Sequence, residues 1–134
     1  MKIPIKGSQI TSAICRAIST KYPCRIYREA IDQDFEEPSF FVWCSKVETS
    51  PVVWPKFRQV HQIEVRYFPP ERNSLQGEAL GIGSELVEIL SRITIRTDEG
   101  ESLPIFATEY TSRVVDDSLL FSVRYKTEGY FEET

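Results

Sequence analysis

The chain has 134 residues and a formal net charge of −4, with 41% hydrophobic and 27% charged residues. That composition is typical of a globular protein and excludes a disordered tail, and the longest apolar run, residues 40–44, is far too short to span a bilayer. Acids and bases are mixed along the chain, which argues against a surface dedicated to nucleic acid.

The length suits a single domain, 1–134, able to bury roughly two thirds of its unfolded surface. The start, "MKIPIKGSQIT", has two lysines but no apolar block of signal-peptide length, so the expected place of synthesis and folding is the cytoplasm. Cys15, Cys24 and Cys44 form no CxxC pair and read as small buried thiols, not as a disulfide framework or a zinc site.

Ile10, Ile14, Ala17 and Ile18 recur at the spacing of one helical face, so residues 9–21 are expected to form an amphipathic helix, capped by Ser8 and stopped by Pro23. A short strand follows over 24–29, then a polar loop to Pro38, which can open a strand but not sit in its middle. The strand from Ser39 to about Val47 is unusual. Side chains alternate between faces, so Phe40, Val42 and Cys44 share one side while Phe41 and Trp43 share the other, and both sides are apolar. "ETSPVVWP" then reads as a loop that exposes Val52, Val53 and Trp54.

From Phe57 to Phe68 the chain alternates again, with Ile63, Val65 and Tyr67 on one face and Gln62, Glu64 and Arg66 on the other. Lys56, Arg58, Arg66 and Arg72 make a mildly basic stretch, diluted by Glu64 and Glu71, that reads as a solvated strand face. After "PPERNS", a second helix is expected from about Ser74 to Arg92, carried by Leu75, Ala79, Ile82, Leu86, Ile89, Leu90 and Ile93. Its glycines, Gly77, Gly81 and Gly83, each cost about 1 kcal/mol against alanine, and close packing of the backbone is the expected reason for them. "ITIRT", "LPIFATEYTSRVV" and "LLFSVRYK" are strands joined by turns at "DEGE" and "DDS". The expected fold is α+β in the order α-β-β-β-α-β-β-β, with two helices packed on one face of a mostly antiparallel sheet of five to six strands.

Residues that could carry a reaction are sparse. His61 is the single histidine and falls in mid-strand; pairing it with Cys44 as base and nucleophile would lack a third, orienting group, so a structural histidine is the expected reading. "GIGSE" at 81–85 lies inside a helical run and lacks the strand and third glycine of a dinucleotide fingerprint. What stands out is apolar surface: two helices cover one face of such a sheet, which leaves Phe41, Trp43 and the loop residue Trp54 for another chain or for the sheet's own curvature to cover.

An N-terminal helix, "DFEEPSFFV" at 34–42, "FRQVHQIEVRYFPP" at 57–70, the helix "NSLQGEALGIGSELVEIL" at 73–90 and "EYTSRVVDDSLLFSVRYK" at 109–126 follow one another over nearly the whole chain. In this order they resemble the phage tail terminator proteins, in particular the type found in phages and prophages of low-GC Gram-positive bacteria. The "VDDSLL" turn departs from the glycine-containing turn of that family. The resemblance implies a structural virion protein without catalytic residues, cofactor or metal, which assembles as a homo-oligomeric ring, usually a hexamer, on the head-proximal end of the tail tube. Its partners would be the tail tube protein and a head-completion protein, with no sequence-specific nucleic acid and no membrane, and it would reside in the virion tail after assembly in the host cytoplasm.

On this reading Phe41, Trp43, Val53 and Trp54 are expected to touch a neighbouring subunit or the tube, and the acidic turn of Asp98, Glu99 and Glu101 to face the channel. Two alternatives remain open from the sequence: a head-completion or connector ring protein, and a small α+β ligand-binding domain.

Overall fold

Helix α1 spans Gly7–Lys21, and the stripe of Ile10, Ile14 and Ile18 is fully buried, as its spacing predicts. The cap is Lys6, not the expected Ser8: the Lys6 N–H donates to Gln9 Oε1 at 2.8 Å, which forms half of a capping box and starts the helix earlier. Gly7 fits there because Cys44 lies against it; a Cβ on Gly7 would come within 3.3 Å of the Cys44 Sγ. The computed structural model describes residues 6–28, 36–70, 75–98 and 100–130, with the backbone alone over 75–80.

Six strands follow: β1 (Arg25–Tyr27), β2 (Ser39–Pro51), β3 (Lys56–Phe68), β4 (Arg92–Arg96), β5 (Ser102–Val115) and β6 (Ser118–Tyr130), with helix α2 (Leu75–Leu90) between β3 and β4. They form one sheet in the order β1-β2-β3-β6-β5-β4. Among the described residues only the β1–β2 pair is parallel and every other neighbour is antiparallel, as turns and a hairpin-rich order require. Both helices pack on the face that carries Phe40, Val42, Ile63, Val65, Tyr67, Leu119, Phe121, Val123 and Tyr125. Tyr22, Phe40 and Tyr67 pack in series as tilted rings, with centroids 5.2 and 4.9 Å apart.

The sheet curls. Helix α1 touches β2 and also β4, although three strands lie between them. On the β4 side, Arg16 Nη2 donates to the Thr94 carbonyl at 3.2 Å and Gln9 Nε2 to the Arg96 carbonyl at 3.1 Å. Ile93 and Ile95 are buried beneath the helices, so Ile93 ends the expected helical pattern as the first core residue of β4.

Two of the three α2 glycines, Gly81 and Gly83, do not mark a close approach. A Cβ on Gly81 would meet nothing within 4 Å, and one on Gly83 would make ordinary contact with Ser112 at 3.6 Å; Gly77 lies where side chains are not described. The tight glycine is Gly129 in β6, where a Cβ would stand 2.8 Å from Phe57 Cζ.

Val115-Asp116-Asp117-Ser118 closes the β5–β6 hairpin with φ of 47° and 59° at the two aspartates, the left-handed pair of a type I′ turn. Arg66 Nε donates to Ser118 Oγ at 2.6 Å, and that hydroxyl donates to the Val115 carbonyl at 2.6 Å, so the turn is tied from β3. Aspartate tolerates this backbone less well than an asparagine–glycine pair does. Replacing Asp116 by Asn and Asp117 by Gly is expected to raise the unfolding free energy by about 1 kcal/mol, read as a higher urea midpoint at unchanged slope.

Candidate assembly surface

The sheet face turned away from the helices is built by the residues opposite the core positions. Phe41 pairs with Arg66 and Trp43 with Glu64; Glu64 pairs with Ser122 and Gln62 with Arg124 on β6, and Arg124 with Glu109 on β5. Phe41 and Trp43 are half-buried and meet edge to face at 5.1 Å. Their partners on β3 are polar, but Leu120 of β6 pairs with the same Arg66 and Phe106 of β5, which alternates with the core-facing Ile105 and Ala107, is 60% exposed, so the apolar groups on this face are dispersed among polar ones.

At the centre of the face lies Glu64, only 7% exposed. Its Oε1 accepts from Gln62 Nε2 at 2.9 Å and Ser45 Oγ at 3.2 Å, and its Oε2 accepts from Ser122 Oγ. Gln62 Oε1 in turn accepts from Arg124 Nε at 3.0 Å, and Arg124 reaches Glu109 at 3.3 Å. Ser45 can reach the carboxylate because β2 bulges between Cys44 and Lys46. Alternation marks Glu64 as facing away from the core; its burial depends on partners from β2 and β6, which no pattern within β3 contains.

Larger exposed apolar groups sit at the β2–β3 hairpin tip, where Val53 is 74% and Trp54 68% exposed and Val52 lies beside them. The tip is held by Val52 N–H to the Lys56 carbonyl at 3.0 Å and Lys56 N–H to the Val53 carbonyl at 2.6 Å, with a cis Trp54–Pro55 peptide. Tyr130, opposite Lys56 at the end of β6, is also exposed. Lys56 and Arg58 both bind Glu128, at 3.0 and 3.3 Å, so two cations of the basic stretch are neutralised across the strands; Arg72 lies outside the described residues. Thus the structure places Phe41 with Trp43 on the open face and Val53 with Trp54 at the tip, as two separate patches.

Asp98 sits in the β4–β5 turn, with Oδ2 3.3 Å from Lys6 Nζ and Oδ1 accepting from Gln9 Nε2 at 3.1 Å. The turn closes through Gly100 at φ 84°, and Glu101 is exposed; Glu99 lies outside the described residues.

His61 and Cys44 do not form a pair. His61 Nε2 lies 3.3 Å from Thr127 Oγ1, while the Cys44 thiol donates to the Lys46 carbonyl at 3.7 Å. Burial pushes the Cys44 thiol up and the His61 imidazole down, which favours both neutral forms. Cys15, Cys24 and Cys44 are half-buried free thiols. Because the unfolded chain takes up a proton on His61 near pH 6.5 and the folded chain does so only at lower pH, stability should be full above about pH 6.5 and fall as pH drops towards the folded value. His61→Gln is expected to flatten the thermal midpoint between pH 7 and 5; an unchanged slope there would assign the effect to other groups.

A family model described as phage tail terminator protein matches residues 9–134. The chain belongs to the phage tail terminator family. It is therefore a structural component of the bacteriophage tail that takes part in tail assembly and interacts with other tail and head proteins, as the family does. The match agrees with the resemblance carried by the strand and helix order. No curated protein matches the chain. A solved structure is similar over 97% of this chain and 100% of its own, at 13% identity and a TM-score of 0.43.

Proposed function

We propose that this protein caps the head-proximal end of the tail tube as a ring of identical copies, usually six in this family, which ends tube polymerisation and presents a docking surface to the head-completion protein. The observation that carries this reading is the family match over 9–134. It is supported by the exposed Val53 and Trp54 at the hairpin tip and by the Phe41–Trp43 pair, two apolar patches at different places on the subunit. A closed ring needs such unlike patches, because each copy offers one surface to the neighbour on its left and another to the neighbour on its right. In that ring the turn of Asp98, Glu99 and Glu101 faces the channel, where negative charge keeps DNA phosphates from adhering. Assembly takes place in the host cytoplasm, and the mature location is the virion tail.

The test uses purified protein with and without tail tubes, imaged by negative stain. Caps confined to one tube end, with tubes no longer extending, are the expected result; protein bound along tube walls, or at neither end, would sink the reading. Val53→Ser with Trp54→Ser is expected to shift sedimentation from ring to monomer at unchanged circular dichroism, since exposed side chains contribute little to folding. An intact ring in that variant would remove the tip from the interface.

A further inference from the structure

Two strands of the sheet run on beyond their outer neighbours. β2 pairs with β3 along its whole length to Pro51, yet β1 covers only Ser39, Phe40 and Phe41 on its other side. β6 pairs with β3 as far as Tyr130, yet β5 covers it only as far as Tyr125. β5 leaves at the bulge between Ala107 and Glu109, and the Ala107 N–H turns to the Ser91 carbonyl at 2.9 Å. A three-stranded arm of residues 46–51, 56–60 and 126–130 therefore projects towards the hairpin tip, with an unpaired backbone margin on each side among the described residues.

We propose that neighbouring copies join by strand pairing, the 46–51 margin of β2 in one copy lying against the 126–130 margin of β6 in the next. The inference rests on the ring reading and names the contact that closes it. Exposed strand margins invite pairing, and soluble proteins usually blunt them with proline, charged side chains, bulges or a covering element; of the charges on these margins, Lys46 and Glu48 neutralise each other and Glu128 is neutralised by Lys56 and Arg58. Here proline occurs only at the last position of β2, the β2 bulge falls before Lys46, and no proline or bulge interrupts 126–130. The two margins are nearly equal in length and lie on opposite sides of one arm, so the contact is between unlike surfaces and can close a ring.

Direction and charge fit as well. Both strands run antiparallel to β3, so they run parallel to each other, and rotation about a ring axis preserves that sense. Glu48 and Lys126 flank Val60 from opposite sides, at the same level along the arm. An unstaggered junction sets Glu48 of one copy, which already pairs with Lys46 of its own strand, beside Lys126 of the next, which has no ion pair among the described residues. The same junction brings the exposed tip residues Val52 and Val53 towards the exposed Tyr130 of the neighbour, so backbone pairing and apolar burial occur at one seam.

The experiment is cysteine crosslinking across the seam in the full chain under mild oxidation, with cysteines placed in pairs, one at 46, 48 or 50 and the other at 126 or 128. The wild-type chain is the control, because its three half-buried thiols are held protonated by burial. Glu48→Cys with Lys126→Cys in one chain is expected to give a ladder of covalent oligomers that ends at the ring size, while an equimolar mixture of the two single variants gives covalent dimers of one with the other. All these side chains are at the surface, and circular dichroism checks the fold. Rings visible by stain but uncrosslinked at every pair would overturn strand pairing and leave the ring reading standing. Absence of rings with and without tubes would overturn the ring reading itself.

Discussion

Gly129→Val is expected to lower the unfolding free energy by about 3 kcal/mol, the upper part of the range for overpacking. A Cβ at 129 alone would lie 2.8 Å from Phe57 Cζ and 3.3 and 3.4 Å from Cε1 and Cε2, so it meets the ring edge almost centrally. Phe57 is 1% exposed and cannot swing into solvent to make room. Opposing this, glycine in a strand is worse than alanine by about 0.5–1 kcal/mol, a gain too small to reverse the sign. Gly129→Ala should fall between wild type and Gly129→Val, and Phe57→Leu combined with Gly129→Ala should lose less than the sum of the two single changes. Gly81→Ala supplies the contrast: it is exposed in a helix with nothing within 4 Å of its Cβ, and should stabilise by about 1 kcal/mol. Urea unfolding measures all five variants, the single Phe57→Leu included, and an additive Phe57–Gly129 pair would mean that the contact carries no strain.

Glu64→Ala is expected to cost about 3 kcal/mol, from losing three hydrogen bonds to a buried charged acceptor. Gln62 and Ser122, both half-buried, would each lose an acceptor, while Ser45 is exposed and keeps the Gln62 carbonyl as its acceptor. Glu64→Gln keeps the shape, and the serine hydroxyls can turn to accept from its amide, so it should cost less than half as much. Adding Ser122→Ala to Glu64→Ala should cost little more than Glu64→Ala alone. If the two changes add, the hydroxyl is satisfied elsewhere and the network is not coupled. Trimming the carboxylate also leaves a hole in the middle of the open face, next to Trp43, so Glu64→Ala reports on that face as well as on stability.

The layered core was legible because its signal is periodic. The isoleucine stripe of α1, the alternation of β3 and β6, and the turns around them state in one dimension which side of each element is covered, and α+β with two helices on one face follows. The arm was not legible in β2. Residues 46–51 are exposed throughout, so alternation fades after Cys44 and the run from Glu48 reads as loop, although the backbone goes on pairing with β3 to Pro51. A proline can end that strand because its nitrogen falls at a margin with no neighbour. Ser8 looked like a cap and Lys6 serves as one, because Gln9 supplies the acceptor and the packing of Gly7 on Cys44 sets the start. The assembly surface was legible in part: Val53 and Trp54 stand out as apolar residues between prolines, whereas the free margins on either side of β3 exist only once the strand order is known.

Strand order has a consequence for biosynthesis. β6, which joins β3 to β5 at the middle of the sheet, follows the other five strands along the chain, while α1, which precedes them, rests partly on β4, about seventy residues later. A nascent polypeptide that has not yet released residues 118–130 from the ribosome holds two unconnected half-sheets and an unfinished seat for its first helix. Folding of this sheet must therefore wait until β6 has been made, and polypeptides that stop before residue 118 should be cleared by proteases instead of competing with whole subunits.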